Sequence, residues 1–147
     1  MAIRSRLQSH LLLLAAMLTA TVPVALGEVG TAAYYGPPYE PTECYGEGRS
    51  QFPERNLFAA VGDKLWDLGA ACGRAYNVRC VSKGPGSCKP GSGTIRVKIV
   101  DYTLSVNSSA AAPKQSFTGA DLVLPQTAFE AIANPAMASI EVEFEEV

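Results

Sequence analysis

The sequence predicts a mainly β protein, a small barrel of short strands with two brief helices. Three observations predict it. Residues 94–103 and 139–147 alternate apolar and charged side chains, as strands with one wet face do. Short Pro and Gly clusters punctuate the chain between such segments. Four cysteines indicate a limited core that disulfides reinforce.

The remaining elements are predicted from local patterns. Asp63 near an N-cap and Gly69 as a stop predict a helix over 63–68, and Pro125 predicts the first turn of a second helix running to about residue 133. Residues 39–56 and 104–119 are predicted to be loops, the first tied down by Cys44. The predicted strands are 30–35, 75–81, 94–103, 121–124 and 139–147, with a short apolar segment at 56–61.

The first 27 residues have the pattern of an export signal. Arg4 and Arg6 precede an apolar stretch at 11–18, and Ala25 and Gly27 supply the small residues that a signal peptidase requires. The apolar stretch is well short of the roughly 20 residues that cross a bilayer, so a membrane anchor is the weaker interpretation. We therefore expect secretion and a mature domain over residues 28–147.

The charge and histidine content exclude several function classes. Removing 27 of 147 residues leaves 120, in which 10 Lys and Arg face 14 Asp and Glu, a formal charge of −4. Such a chain lacks the basic footprint of a nucleic-acid binder. His10, the single histidine, lies in the signal, so the mature chain has no imidazole for an acyl-transfer dyad or a metal. We expect no metal and no cofactor.

All four cysteines lie in the mature part. An even number in an exported chain predicts two disulfides, and three connectivities are open. A zinc site is the alternative, but the chain has no C-x-x-C pair and the compartment is oxidising. Asn107 opens an Asn-Ser-Ser tripeptide in a predicted loop, which predicts N-glycosylation. The cysteines are Cys44, Cys72, Cys80 and Cys88.

Several segments together resemble the plant natriuretic peptide group, which are secreted, expansin-related proteins with a family-45-endoglucanase-like domain. The most specific element is AACGRAYNVRC (70–80) followed by VKIVDY (97–102). The resemblance also rests on GTAAYYGPPYEPTECYG (30–46), ADLVLPQTAFEAIANP (120–135) and IEVEF (140–144).

The resemblance implies a six-stranded double-psi β-barrel with the pairs Cys44–Cys72 and Cys80–Cys88. It covers the first expansin domain, and we expect a monomer without the second, polysaccharide-binding domain. Relatives typically continue VVDYC with a further cysteine pair, whereas this chain has VDYTLS, so that pair is missing. The FDLS-like motif of relatives is replaced by SFTGADLVL, which shifts the context of Asp121.

By resemblance, the acidic positions of an expansin-type groove fall on Asp101 and on Asp121, the latter at the proton-donor position. Thr31 and Tyr34 match the groove residues of the first strand, and Tyr35 is included in the predicted binding groove. Each aspartate has a structural alternative: Asp101 as a carboxylate that caps backbone N–H groups, and Asp121 as the end of a loop.

Hydrolysis of a glycosidic bond by this class of site needs two positioned carboxylates. Related hydrolases carry the base as an aspartate soon after a T-x-Y motif, but here Tyr35 is followed by Gly36 and two prolines, and no acid lies between Tyr35 and Glu40. We therefore expect no catalytic residues and no ordinary hydrolysis, while lytic cleavage through Asp121 alone stays open as a minor alternative.

Two aromatic features are open to two interpretations. Trp66 either packs beside Leu65 and Leu68 or offers a platform for a sugar ring. The tyrosines form either a binding face or the rim of the barrel; they are Tyr34, Tyr35, Tyr39 and Tyr45.

Two functions follow from the resemblance. The first is extracellular signalling in water and solute balance through a cell-surface receptor, with the active stretch at about residues 33–66. The second is a module of the apoplast or cell wall that binds wall polysaccharide without hydrolysing it.

Overall fold

The computed structural model describes residues 27–104 and 119–147, which fold into a six-stranded closed barrel with the strand order β1-β5-β2-β4-β3-β6. Two neighbouring pairs, β1 with β5 and β2 with β4, are parallel, and the other four are antiparallel. The strands are β1 (Glu28–Tyr35), β2 (Phe58–Val61), β3 (Ala75–Cys80), β4 (Ile95–Tyr102), β5 (Leu122–Pro125) and β6 (Ser139–Glu146). The predicted mainly β barrel is confirmed.

Alternation along the strands divides the apolar side chains between two clusters. The main core contains Ile99, Leu122 and Phe129, all completely buried. The opposite face of β1, β2 and β5 contributes to a second cluster, which includes Tyr35 and Phe58 and is flanked by aromatic residues of the 39–56 loop. The chain therefore has one core inside the barrel and a smaller one between the barrel and this loop.

A bulge in the β2–β4 pairing decides where Asp101 points. Ala59 is paired with Ile99, but Ala60 is paired with Asp101, so Val100 has no partner in the register. Because directly paired residues share a face of the sheet, Asp101 lies on the face of Ala60, which belongs to the second cluster. Without this extra residue the aspartate would point to the other face.

Both disulfides have the pairing that the resemblance implied. Cys44–Cys72 joins the 39–56 loop to the turn before β3, and Cys80–Cys88 closes the loop after β3. The backbone N–H of Cys44 also donates to the carbonyl of Val100 at 3.2 Å. The loop is thus fastened to the barrel at its middle.

The two α-helices predicted from the sequence are shorter than expected. The first, α1 (Asp63–Trp66), ends before Leu68 because Asp67 and Leu68 both adopt left-handed backbone angles, with φ of 51°. Leu68 is fully exposed, so it does not pack with Trp66. The second, α2 (Gln126–Glu130), starts one residue late because Pro125 belongs to β5.

Some predictions fall outside the described residues. These are the export signal predicted over 1–27, of which residues 1–26 lie outside, most of the predicted 104–119 loop and the glycosylation of Asn107, and all stay predictions. Within the described ranges, no helix has the length and apolar character needed to cross a membrane.

The buried hydroxyl of Tyr35 leads to a stability prediction. Its side chain is 1% exposed, and its oxygen has no hydrogen-bond partner among the described residues. Burial, and then the nearby negative charge of Asp101, raise the pKa of Tyr35 well above its ordinary value of 10.0. We expect Tyr35→Phe to raise the free energy of unfolding at pH 7 by about 1 kcal/mol, because it removes an unsatisfied polar group.

The same variant is expected to change the alkaline limit. The pKa of Tyr35 is higher in the folded state than its value near 10 in the unfolded state. The neutral side chain therefore makes its full contribution to the free energy of unfolding below about pH 10, and this contribution is lost as the pH rises further. Tyr35→Phe should therefore unfold at higher pH than the wild type in a pH titration followed by circular dichroism. Tyr45→Phe, at a position 42% exposed, is the matched control. A loss of stability in Tyr35→Phe at pH 7 would contradict this assignment.

Candidate functional site at one end of the barrel

The structure brings Thr31 and Asp121 together where β5 begins. The Thr31 N–H donates to Asp121 Oδ2 at 3.0 Å, and the Asp121 N–H donates to the Thr31 carbonyl at 3.1 Å. The Asp121 carbonyl accepts the Gly62 N–H at 2.9 Å, immediately before α1. Asp121 is half-buried as a residue, and its carboxylate is held by the backbone of β1.

Gly30 makes room for this carboxylate. A methyl group on Gly30 would overlap Asp121 Oδ2 and would lie 2.8 Å from Phe144 Cε1 in the main core. The glycine is therefore required by a close approach of side chains, since its φ is not positive.

Asp101 lies apart from this pair, on the second cluster. It is 1% exposed, and its Oδ1 accepts the N–H of Glu43 at 2.9 Å and that of Tyr102 at 2.8 Å. This arrangement matches the capping role that was the alternative for Asp101. A carboxylate so deeply covered holds the 39–56 loop and presents no surface to a polymer.

The predicted groove tyrosines face different ways. Tyr34 packs on the main core, with its ring 4.8 Å from that of Phe129, whereas Tyr35 lies in the second cluster, 4.9 Å from the ring of Tyr39. Tyr45 lies under the ammonium group of Lys98 at 4.6 Å. The tyrosines therefore serve several separate contacts instead of one common face.

A stacked aromatic pair at the same barrel end was not predicted. The rings of Trp66 and Tyr102 are parallel within 4°, with centroids 4.5 Å apart, and both residues are half-buried. The Tyr102 hydroxyl donates to Asp63 Oδ1 at 2.5 Å. This hydrogen bond, with some burial and the charge of Asp63, raises the pKa of Tyr102. The sequence offered one indication of this aromatic contact, which was the position of Tyr102 beside Asp101 near the end of a predicted strand.

The stacked pair lines a shallow groove of about 680 Å³. Its rim carries charged groups that are paired with each other, Lys64 with Glu28 at 3.8 Å and Arg74 with Asp67 at 2.7 Å. Aromatic rings flanked by hydrogen-bonding groups suit the apolar face and hydroxyl edge of a sugar. Across residues 27–104 and 119–147, no group of three or more potential ligands could hold a metal ion. Asp63, Trp66 and Tyr102 line this groove, whereas Thr31 and Asp121 do not line it and are joined to the start of α1 through the Gly62 N–H. We call these five residues, which lie at one end of the barrel, the barrel-end site.

The fold defines the class of protein. A crystal structure of apo expansin from Clavibacter michiganensis has a TM-score of 0.54 to this chain at 20% identity, and a mutant of that expansin in complex with cellohexaose has the same TM-score at 21% identity. Each match covers 81% of this chain and 49% of the expansin, so the chain spans about half the length of these proteins. The predicted double-psi β-barrel is confirmed.

The family is shown by sequence. Residues 58–144 match the family model described as lytic transglycolase. EG45-like domain containing protein 2 of Arabidopsis thaliana is 35% identical over 83% of this chain and 82% of its own length. An EG45-like domain containing protein of Citrus jambhiri is 33% identical over 82% of this chain and 82% of its own length. The chain belongs to this family of expansin-like, EG45-like domain containing proteins.

Proposed function

We propose that the protein is a secreted, non-hydrolytic module of the plant cell wall that binds a β-linked polysaccharide at its barrel-end site. The observation that carries the proposal is the parallel stack of Trp66 on Tyr102, half-exposed and lining a groove. Stacking fixes the plane of the indole ring before a ligand arrives, so little side-chain entropy remains to be lost on binding. The cellohexaose bound by the related expansin supports a glucan as the ligand.

Secretion is supported by the chemistry of the cysteines. Both disulfides are formed, which fits an oxidising compartment, and the predicted export signal supplies the route.

The proposal excludes hydrolysis because Asp101 and Asp121 lie apart from each other. Asp101 is covered by the 39–56 loop, which leaves Asp121 as the half-exposed member of the predicted pair. One carboxylate does not perform the two roles that hydrolysis divides between an acid and a base.

The binding proposal is tested by affinity electrophoresis in gels that contain a soluble β-glucan. Trp66→Ala is expected to weaken the affinity read from the retardation by roughly tenfold or more, since losing an aromatic anchor costs at least about 1.4 kcal/mol, which is a factor of ten. Trp66→Phe keeps a ring and should keep most of the retardation. The control is Tyr45→Ala, which truncates an exposed aromatic residue elsewhere. Unchanged retardation of Trp66→Ala, with folding verified by circular dichroism, would refute the proposal.

The second candidate is signalling of the plant natriuretic peptide type, through a cell-surface receptor. It is favoured by the position of the 39–56 loop, which belongs to the stretch 33–66 and lies outside the barrel, fastened by the Cys44–Cys72 disulfide. A receptor would meet a surface whose shape is held by covalent and aromatic contacts. Protoplast swelling with purified residues 28–147 tests this candidate, and a flat response at every dose would remove it.

A further inference from the structure

A second groove lies at the opposite end of the barrel from the barrel-end site. Its walls come from the residues just before β2, from the start of β4 and from α2, and it encloses about 700 Å³. We call it the distal groove. The residues used below are Arg55, Leu57, Thr94, Ile95, Arg96 and Thr127.

The distal groove is positively charged, although the protein as a whole is acidic. It is lined by two arginines and by no acidic residue. Both arginines are exposed, and none of the ion pairs within the described ranges includes either of them. By contrast, Lys64, Arg74 and Arg79 each contact a carboxylate. Arg55 also lines a neighbouring groove together with Glu54, with which it forms no ion pair, and Glu130 accepts a hydrogen bond from Gln126.

The floor between the arginines is apolar and rigid. Leu57 and Ile95 are half-buried and pack against the main core, and the Leu57 carbonyl accepts the Lys98 N–H at 3.1 Å. Thr94 and Thr127 add hydroxyl groups to the rim. The floor therefore offers an apolar surface with hydrogen-bonding groups around it.

The backbone at Arg55 is held in a costly conformation. Arg55 and Asn56 are consecutive residues with φ of 58° and 54°, in the left-handed region. Left-handed conformations are unfavourable for most residues other than glycine, and those that occur are concentrated at functional sites. The strain is localised at one of the two cations that line the groove.

We propose that the distal groove binds the uronate units of an acidic polysaccharide. A guanidinium group forms paired hydrogen bonds with a carboxylate, and the apolar floor fits the face of the sugar ring that carries it. A nucleic acid would need a long basic stripe, which this acidic chain lacks. The proposal rests on the proposed function in taking wall polysaccharide as the partner, but it uses a different site.

The test is affinity electrophoresis with polygalacturonate, with the same polymer fully methyl-esterified and with poly-glutamate. The double variant R55A/R96A is expected to bind polygalacturonate roughly tenfold more weakly or worse, because two charge-assisted contacts are lost. The control K83A/K89A removes the same charge from two exposed lysines outside the groove and should change binding less than about twofold.

Three results would overturn the proposal: equal binding of the methyl ester, equal binding of poly-glutamate, or an equal loss in K83A/K89A. The first would exclude carboxylate recognition, the second recognition of the sugar, and the third a defined site. Gels with neutral β-glucan separate this proposal from the proposed function. R55A/R96A should be retarded there as the wild type is, and Trp66→Ala should keep its affinity for polygalacturonate.

Discussion

Replacing both Cys44 and Cys72 by alanine is expected to lower the free energy of unfolding by about 3.5 kcal/mol, the largest effect of any change considered for this protein. The bond spans 28 residues, and the chain-entropy cost of closing a loop in the unfolded state rises with its length. The corresponding change at Cys80 and Cys88, which spans 8 residues, should cost about 2.5 kcal/mol.

The longer disulfide also holds the cover of the second cluster. Cys44 follows Glu43, whose N–H binds the Asp101 carboxylate, and its own N–H binds the Val100 carbonyl. Loss of the disulfide should therefore expose Tyr35 and Phe52 in the folded state, in addition to raising the conformational entropy of the unfolded chain. Urea unfolding of the two double variants, followed by tyrosine and tryptophan fluorescence, measures the difference. A smaller loss for the Cys44–Cys72 variant than for the Cys80–Cys88 variant would contradict this account of the loop.

Gly30→Ala is expected to destabilise the protein by about 2 kcal/mol and to weaken glucan binding at the barrel-end site. The added methyl group would overlap Asp121 Oδ2 and press on Phe144, which is 2% exposed and belongs to the main core. To relieve the overlap, either the Asp121 carboxylate moves away from the Thr31 N–H or the Phe144 ring shifts in the core, and either movement is unfavourable.

Gly36→Ala is the matched control, because a methyl group there meets no atom within 4 Å and the φ of Gly36 is not positive. Thermal unfolding and affinity electrophoresis of both variants measure the two effects. If Gly30→Ala were as stable as Gly36→Ala and bound glucan equally well, the close approach of Asp121 to β1 would not hold in solution.

Strands with one face in the core could be predicted from the sequence. The predicted strand 139–147 matches β6 within one residue, because Ile140, Val142 and Phe144 face the main core while Glu141 and Glu145 do not. Helix ends were harder to predict. Aspartate tolerates a left-handed conformation, but the residue types of Asp67 and Leu68 do not indicate two successive ones.

The candidate site was predictable in part, for a physical reason. Thr31 and Asp121 meet because β1 and β5 are parallel neighbours, with Ala32 opposite Leu122, and the resemblance placed both residues in one groove. The separate position of Asp101 results from the bulge at Val100, which alternation within β4 alone does not indicate. The stack of Trp66 on Tyr102 joins residues 36 positions apart in sequence, so no local pattern predicts it.

The central claim is that the barrel-end site holds a glucan without cutting it. The most direct measurement is mass spectrometry of a defined β-glucan oligosaccharide after long incubation with residues 28–147, because it detects both hydrolytic products and lytic products, which lack the added water. We predict an unchanged oligosaccharide under conditions in which affinity electrophoresis shows binding. Shorter products that accumulate with time, and that are absent with Asp121→Asn, would contradict the claim.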